Sequence, residues 1–176
     1  MARRIFTFRK FLRKIERAYI SLLSYIDHDI YMKAYIEHLR KSGMNIGNPI
    51  YIGRNTFFDG TDYSLITIKD SVVISSEVLF LTHDFSISRA AAACGKKMSK
   101  EIALKGQIII EENSFIGRRA TILPNTFIGH DSIIGASAVV KGHVAPYSIM
   151  IGNPAKKIGD TREWFKKKQD LLGDRI

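Results

Sequence analysis

The sequence predicts a parallel β-helix, and two observations carry that expectation. From Ile110 to Val140 an aliphatic residue returns every sixth position, at Ile110, Ile116, Ile122, Ile128, Ile134 and Val140. Glycine follows three of these positions, at Gly117, Gly129 and Gly135, and the residue two places before most of them is small or polar. A helix repeats its apolar stripe every three or four residues and a half-buried strand every two, so a sustained period of six fits neither. Hexads of this kind belong to coils that stack into a solenoid. Each hexad then reads as one short strand plus a turn, with its aliphatic side chain pointing into the coil. The glycine beside it suits a corner that requires positive φ or a close backbone approach from the next coil, because it has no Cβ to clash.

The elements follow in chain order. Ile5, Phe8, Leu12, Ile15, Tyr19, Leu22 and Ile26 recur at spacings of three or four, which predicts an amphipathic helix, and a second helix is expected from about Asp29 to Lys41. Residues 1–42 therefore read as a helical segment ahead of the solenoid. The hexad phase opens at Ile46-Gly47 and Ile52-Gly53 and returns at Ile68, Ile74 and Phe80. Two breaks interrupt it. Phe58 and Ile68 are ten apart instead of a multiple of six, around Asp59, Gly60, Thr61 and Asp62, and the stretch from about Thr82 to Lys105 has no hexad logic. Insertions in solenoids map to functional loops, so the breaks are where chemistry is expected. The second break contains Arg89, the alanines from Ala90 to Ala93, and Cys94-Gly95-Lys96-Lys97, which predicts a short helix and an exposed turn. The solenoid is expected over residues 43–159, with the insertion at about 82–105, and a helical tail over 160–176.

Composition bounds the function. A chain of 176 residues can bury a core without disulfides or metal. Its single cysteine, Cys94, has no internal partner, which fits a reducing compartment. No apolar run approaches the roughly 20 residues of a membrane span. Basic residues precede the apolar run from Ala18 to Ile26, but Arg9, Lys10, Arg13, Lys14, Glu16 and Arg17 lie between the first apolar residues, and no small-residue cleavage site follows before Asp27 and Asp29. The sequence thus reads as cytoplasmic, with the inner face of the membrane as a further expectation. The net charge of +10 is uneven: residues 1–41 hold ten Lys or Arg against four acids, and residues 156–176 hold seven against four. Two readings of the basic N-terminal helix stand open. It packs against the solenoid or a neighbouring subunit with its basic face in water, or it lies on an anionic membrane surface. Nucleic acid is not predicted, since no helix-turn-helix, zinc finger or glycine-aromatic RNA motif is present.

The stretches Ile116-Gly117-Arg118-Arg119-Ala120-Thr121-Ile122-Leu123-Pro124, Ile134-Gly135-Ala136-Ser137-Ala138-Val139-Val140-Lys141 and Ile151-Gly152-Asn153-Pro154-Ala155-Lys156, together with Thr82-His83-Asp84, resemble the hexapeptide-repeat acyltransferases. Within them the chain is most similar to the galactoside and maltose O-acetyltransferases and their relatives in surface-polysaccharide synthesis. The resemblance implies a left-handed parallel β-helix of triangular section with three hexads per coil. It also implies a homotrimer with active sites between subunits, acetyl-CoA as acyl donor without a metal, and a saccharide acceptor.

The resemblance places the general base at His83. Acyl transfer from a thioester to a hydroxyl needs a group that removes the hydroxyl proton, and neutral imidazole is suited to that near pH 7. His83 also stands where the hexads stop, so it is expected to face a cleft. His130 and His143 read as turn or surface residues. Asp59 aligns with a position where galactoside-type relatives carry an asparagine that contacts the acceptor sugar; acceptor contact and a simple Asp-Gly turn are both open. Asp84 is expected to cap a turn or bond the acceptor, and Phe115 matches a family tryptophan that walls the acceptor site. The donor-binding positions implied by the family are Gly117, Ala136, Ser137, Lys141 and Lys156, with Lys157 as a helper: small side chains admit the pantetheine arm and lysines meet the phosphates. Arg118 and Arg119 depart from the family's small residue and either narrow this groove or add a phosphate partner. Cys94 lacks a recognised nucleophile motif and reads as an incidental loop thiol. N-acylation of an amino sugar nucleotide is the runner-up activity. A γ-class carbonic anhydrase-like metalloenzyme is a remote reading because His130 and His143 are thirteen apart and its three-histidine spacing is missing, and a noncatalytic trimeric scaffold is opposed by His83.

Overall fold

The computed structural model describes residues 15–60 and 62–171, and the chain divides into two compact units, Met1–Gly43 and Met44–Ile176. In the N-terminal unit, residues 15–23 are helical (α1) and α2 covers His28–Lys41. The expected long first helix does not reach Ile26. Asp27 adopts extended backbone and its Oδ1 accepts from Ile30 N–H at 2.9 Å, so residues 24–26 form a turn and a new helix begins at His28. The part of that expectation falling on residues 1–14 lies outside the described residues. Buried His38 of α2 meets Glu16 of α1, Nδ1 to Oε2 at 3.1 Å.

The second unit is the solenoid. Its first coil contains β1 (Asn45–Ile46), β2 (Tyr51–Ile52) and β3 (Phe57–Phe58), and its second β4 (Ile66–Ile68), β5 (Val73–Ile74) and β6 (Leu79–Phe80). An insertion follows, with β7 (His83–Asp84), α3 (Ser86–Ala93) and β8 (Leu104–Lys105). The third coil holds β9 (Ile108–Ile110), β10 (Phe115–Ile116) and the start of β11 (Thr121–Ile128), which turns the corner into the fourth coil. The fourth coil continues through β12 (Ile133–Ile134) into β13 (Val139–Val144), and β14 (Ser148–Ile151) ends the solenoid. Strand β15 (Lys156–Asp160) folds back antiparallel on β14, and α4 (Thr161–Lys168) follows, its first turn capped by Asp160 Oδ1 on Arg162 N–H at 2.9 Å.

Parallel pairing sorts these strands into three faces. The first stacks β1, β4, β9, the end of β11 and the end of β13; the second stacks β2, β5, β10, β12 and β14; the third stacks β3, β6 and the starts of β11 and β13. The register exposes the design. Ile110 pairs with Ile128 and Ile116 with Ile134, so a regular coil takes 18 residues, three hexads. Ile46 pairs with Ile68, an advance of 22, and Ile68 with Ile110, an advance of 42. The two breaks in the hexad phase are therefore insertions of 4 and 24 residues into otherwise regular coils, and both leave the solenoid at the corner between the third and first faces.

Each aliphatic position points inward as its period requires. Ile46, Ile52, Phe58, Ile68, Ile74, Phe80, Ile110, Ile116, Ile122, Ile128, Ile134 and Val140 are all buried, and Phe58 stacks on Phe80 with ring centroids 4.8 Å apart. Every such side chain removed from water contributes about 1.5–3 kcal/mol. The glycines resolve between the two sequence explanations. Gly53, Gly117, Gly129 and Gly135 do not have positive φ; the left-handed corners are taken by Asn55, Ser71, Glu77, Asn113, Arg119, Asn125, Asp131 and Ser137. What requires glycine is the neighbouring coil: a Cβ on Gly53 would lie 2.3 Å from Ser76 N, and one on Gly117 would lie 2.6 Å from Ala136 N.

Gly53→Ala is accordingly expected to lower unfolding stability by about 1–3 kcal/mol, because its obstacle is backbone that cannot swing away. Gly159→Ala, whose Cβ would meet only Ile149 Cδ1 at 3.7 Å, should change stability by no more than about 0.5 kcal/mol. Thermal or denaturant melts of the two variants check the contrast.

Candidate active site

Because both insertions open at one corner in consecutive coils, their first residues meet. Phe58 pairs with Phe80, so Asp59 lies level with Leu81, and Asp59 N–H donates to Phe80 O at 2.9 Å. The buried Asp59 side chain, with the residue 6% exposed, then turns toward the next two residues of the upper coil. Its Oδ2 accepts from Thr82 N–H at 3.2 Å, from Thr82 Oγ1 at 2.9 Å, and from His83 Nδ1. The His83 side chain is 21% exposed. A carboxylate oxygen accepts only, so Nδ1 carries the hydrogen, and neutral His83 keeps a lone pair on Nε2. This arrangement can take a proton from a bound hydroxyl and stabilise the cationic ring that results.

The insertion is anchored beside this pair. Strand β7 pairs antiparallel with β8, His83 opposite Lys105, and Gly106 N–H donates to Thr82 O at 2.9 Å, so the insertion leaves and re-enters through a narrow neck. Phe85 stands edge-on to the His83 ring at 5.4 Å and lines a cleft of about 540 Å³ with Ser86, Arg89 and Glu101, the last two ion-paired. The short helix expected in this segment is α3; the exposed turn follows at Cys94-Gly95. Asp84 takes the turn-cap role, its Oδ1 accepting from Ser86 N–H at 2.8 Å and Ser86 Oγ at 2.5 Å. The Ser86 hydroxyl bond, the Ser86 backbone N–H and the nearby charge of Lys141 hold its carboxyl below the usual range against desolvation.

The expected site residues do not all gather here. Asp59, for which acceptor contact and an Asp-Gly turn were both open, is hydrogen-bonded to His83; the reason is the four-residue insertion, which starts one residue past the last inward side chain of its coil. Phe115 is on β10 in the second face, 40% exposed, and faces a cleft of about 590 Å³ with Ile133, Tyr147 and Phe165 of α4. Arg162 covers the Tyr147 ring at 4.0 Å in that cleft. Within one chain Phe115 is thus no wall for His83. Gly117 is buried beneath Ala136 of the next coil, and its missing Cβ makes room for that coil's backbone. Ala136 and Ser137 are exposed at the corner between the second and third faces, Lys156 and Lys157 are exposed on β15, and Lys141 lies at the His83 corner near Asp84. Arg118 and Arg119 both pair with Glu77 of the coil below, whose carboxyl they hold low, Arg119 Nε at 2.6 Å.

His130 and His143 stay apart from the site, His130 on Asp131 and His143 stacked on Phe127. Among the described residues no three His, Cys, Asp or Glu side chains gather as a metal site. Thr82 enters the sequence reading only as part of Thr82-His83-Asp84, with no role of its own, and Phe85 does not enter it. The signal for Thr82 was available: Phe58 and Phe80 share one phase of the repeat, which sets the residues after each side by side.

Residues 107–142 match the family described as bacterial transferase hexapeptide (six repeats). Protein CapG of Staphylococcus aureus is 38% identical over 125 residues, 69% of this chain and 69% of that one. A chloramphenicol acetyltransferase of Klebsiella aerogenes is 43% identical over 53 residues, 30% of this chain and 25% of that one. The chain spans about half or less of the length of several curated relatives it matches, including 53% of one from Schizosaccharomyces pombe. A maltose O-acetyltransferase from Clostridium difficile 630 shares the fold with a TM-score of 0.58 at 22% identity, over 85% of this chain and 88% of that one. The three-faced solenoid is accordingly a left-handed parallel β-helix. The chain belongs to the hexapeptide-repeat acetyltransferase family.

Proposed function

We propose that the protein transfers an acetyl group from acetyl-CoA to a hydroxyl of a saccharide, with His83 as general base and Asp59 as the residue that positions it. The hydrogen bond between Asp59 Oδ2 and His83 Nδ1, at the corner where the chain leaves the solenoid, carries the reading. Nε2 of His83 accepts the hydroxyl proton as attack begins. The ring then becomes cationic, and the buried Asp59 carboxylate stabilises it in surroundings that weaken Coulomb attraction less than water does. Thr82 contributes two hydrogen bonds to the same oxygen, which keep the carboxylate from swinging away from the ring.

The thioester of acetyl-CoA supplies the acetyl group: the ester C–O bond forms, the acyl C–S bond breaks, and the proton held by His83 passes to the departing coenzyme A thiolate. Ala136 and Ser137 present little side-chain bulk at an exposed corner, and Lys141, Lys156 and Lys157 offer exposed ammonium groups for phosphates, so this set of residues fits such a donor. In one chain Ala136 and Ser137 occupy one edge of the third face and His83 the other. A complete site therefore needs a second copy to bring a donor edge to a histidine edge, which accords with the homotrimer that the resemblance implies. The saccharide acceptor rests on the motifs shared with galactoside and maltose O-acetyltransferases.

His83→Ala should reduce acetyl transfer by about two or more orders of magnitude with the oligomeric mass unchanged. Turnover within a few fold of the parent protein in a coenzyme A release assay would remove His83 from the reaction. Asp59→Asn should lower kcat by about tenfold to a thousandfold while leaving the KM for acetyl-CoA nearly constant, because it acts on the orientation of the ring and not on the donor. The imidazole ¹⁵N shifts of His83 report the cause: the parent protein should show the Nδ1–H tautomer, and the variant a changed mixture.

A further inference from the structure

The first helix carries two apolar rows. Ile20, 4% exposed, and half-buried Leu23 form the inward one. One residue back, about 100° around the helix, Ile15, Tyr19 and Leu22 form a second row that Ile26 continues in the turn, and these four are 51%, 61%, 61% and 79% exposed. A helix that only covered its own unit would need one row, so the outward one calls for an occupant.

Charge decides which occupant fits. Residues 1–26 hold seven Lys or Arg, all at or before Arg17, against one acid, Glu16, a net of +6. Residues 27–41 hold three of each sign, and the whole of residues 42–176 holds seventeen bases against thirteen acids, also net positive. No part of this chain offers an acidic complement on that scale, and pairing two copies through this row would set two +6 segments against each other. Nucleic acid would answer the charge but has no use for four exposed apolar side chains. An anionic bilayer answers both features, since its phosphates meet the cations and its acyl boundary takes the apolar row. Among the described residues no helix is long and apolar enough to cross a membrane, so the contact lies in the surface plane.

We propose that the N-terminal segment seats the protein on an anionic lipid surface through Ile15, Tyr19, Leu22 and Ile26, held there by the seven cations that precede or accompany them. Such a seat sets the solenoid beside acceptors carried on or made at a membrane, and it stands whether or not the acetyl-transfer reading does.

Cosedimentation of the full chain with vesicles tests it. Binding to vesicles of mixed phosphatidylglycerol and phosphatidylcholine should exceed binding to phosphatidylcholine alone by about tenfold or more, and should fall as salt rises from about 0.1 M to about 0.5 M. Tyr19→Ser with Leu22→Ser, which leaves the charge intact, should weaken it by about tenfold or more, as should Arg13→Gln with Lys14→Gln and Arg17→Gln. Deletion of residues 1–26 should abolish it. Circular dichroism and light scattering on the same samples establish that each variant keeps its fold and mass. Equal binding by the deletion, equal binding to neutral vesicles, or insensitivity to the Tyr19 and Leu22 substitutions would overturn the proposal. So would loss of oligomeric mass by those variants without any vesicle binding by the parent, which would make the row a contact between copies.

Discussion

Coils stacked one strand spacing apart, about 4.8 Å, impose the constraint from which the rest of this structure follows. At that spacing each turn of the chain must present its hydrogen-bonding edges and its inward side chain in register with the turn below, and any residue near the seam must leave room for the neighbouring backbone. The buried column from Ile46 to Val140 is one result. Another is the placement of glycine, which serves the close approach of coils at Gly53 and Gly117. The corners themselves are turned by Asn, Asp, Ser, Glu and Arg in left-handed conformation, a cost of about 1–2 kcal/mol for each such residue that the burial around it must offset. Asn113 and Asp131 illustrate the compensation, since these successive corner residues bond each other at 2.6 Å.

The same constraint brings Asp59 and His83 together. A solenoid has no cleft of its own, because its faces are flat and its interior is filled. Two departures from the 18-residue coil, in consecutive coils at one corner, bring Asp59 and His83, 24 residues apart in sequence, into hydrogen-bond contact. The four-residue departure supplies a buried carboxylate; the 24-residue departure supplies the histidine and an arm that leaves and re-enters through the neck of β7 with β8. Position on the solenoid also separates roles. The exposed small residues at Ala136 and Ser137 occupy the opposite edge of the third face from His83.

The N-terminal unit follows different physics. It has no stacking partner to set its register, and its helices are defined by capping and by facing rows of apolar side chains. Asp27 decides where one helix ends and the next begins, and the link between Glu16 and His38 ties the two together. Charge is concentrated at the start of this unit, while residues 42–155 hold ten bases against nine acids.

How much of this was legible before folding depends on the range of the interaction concerned. The hexad period is local, so the sequence by itself determined the solenoid, the inward identity of residues such as Ile122 and Ile134, the two breaks, and His83 as the group standing at one of them. The short helix in the insertion and the cap formed by Asp84 are local as well. What only the tertiary structure decided is set by pairing between coils 22 and 42 residues apart. That pairing set Asp59 against His83, placed Phe115 on a different face of the same chain from His83, and packed Gly117 against the backbone of the next coil. A repeat states which side chains point inward, but the residues that share a corner are fixed only when the lengths of the insertions have been absorbed and each coil has locked onto the one beneath it.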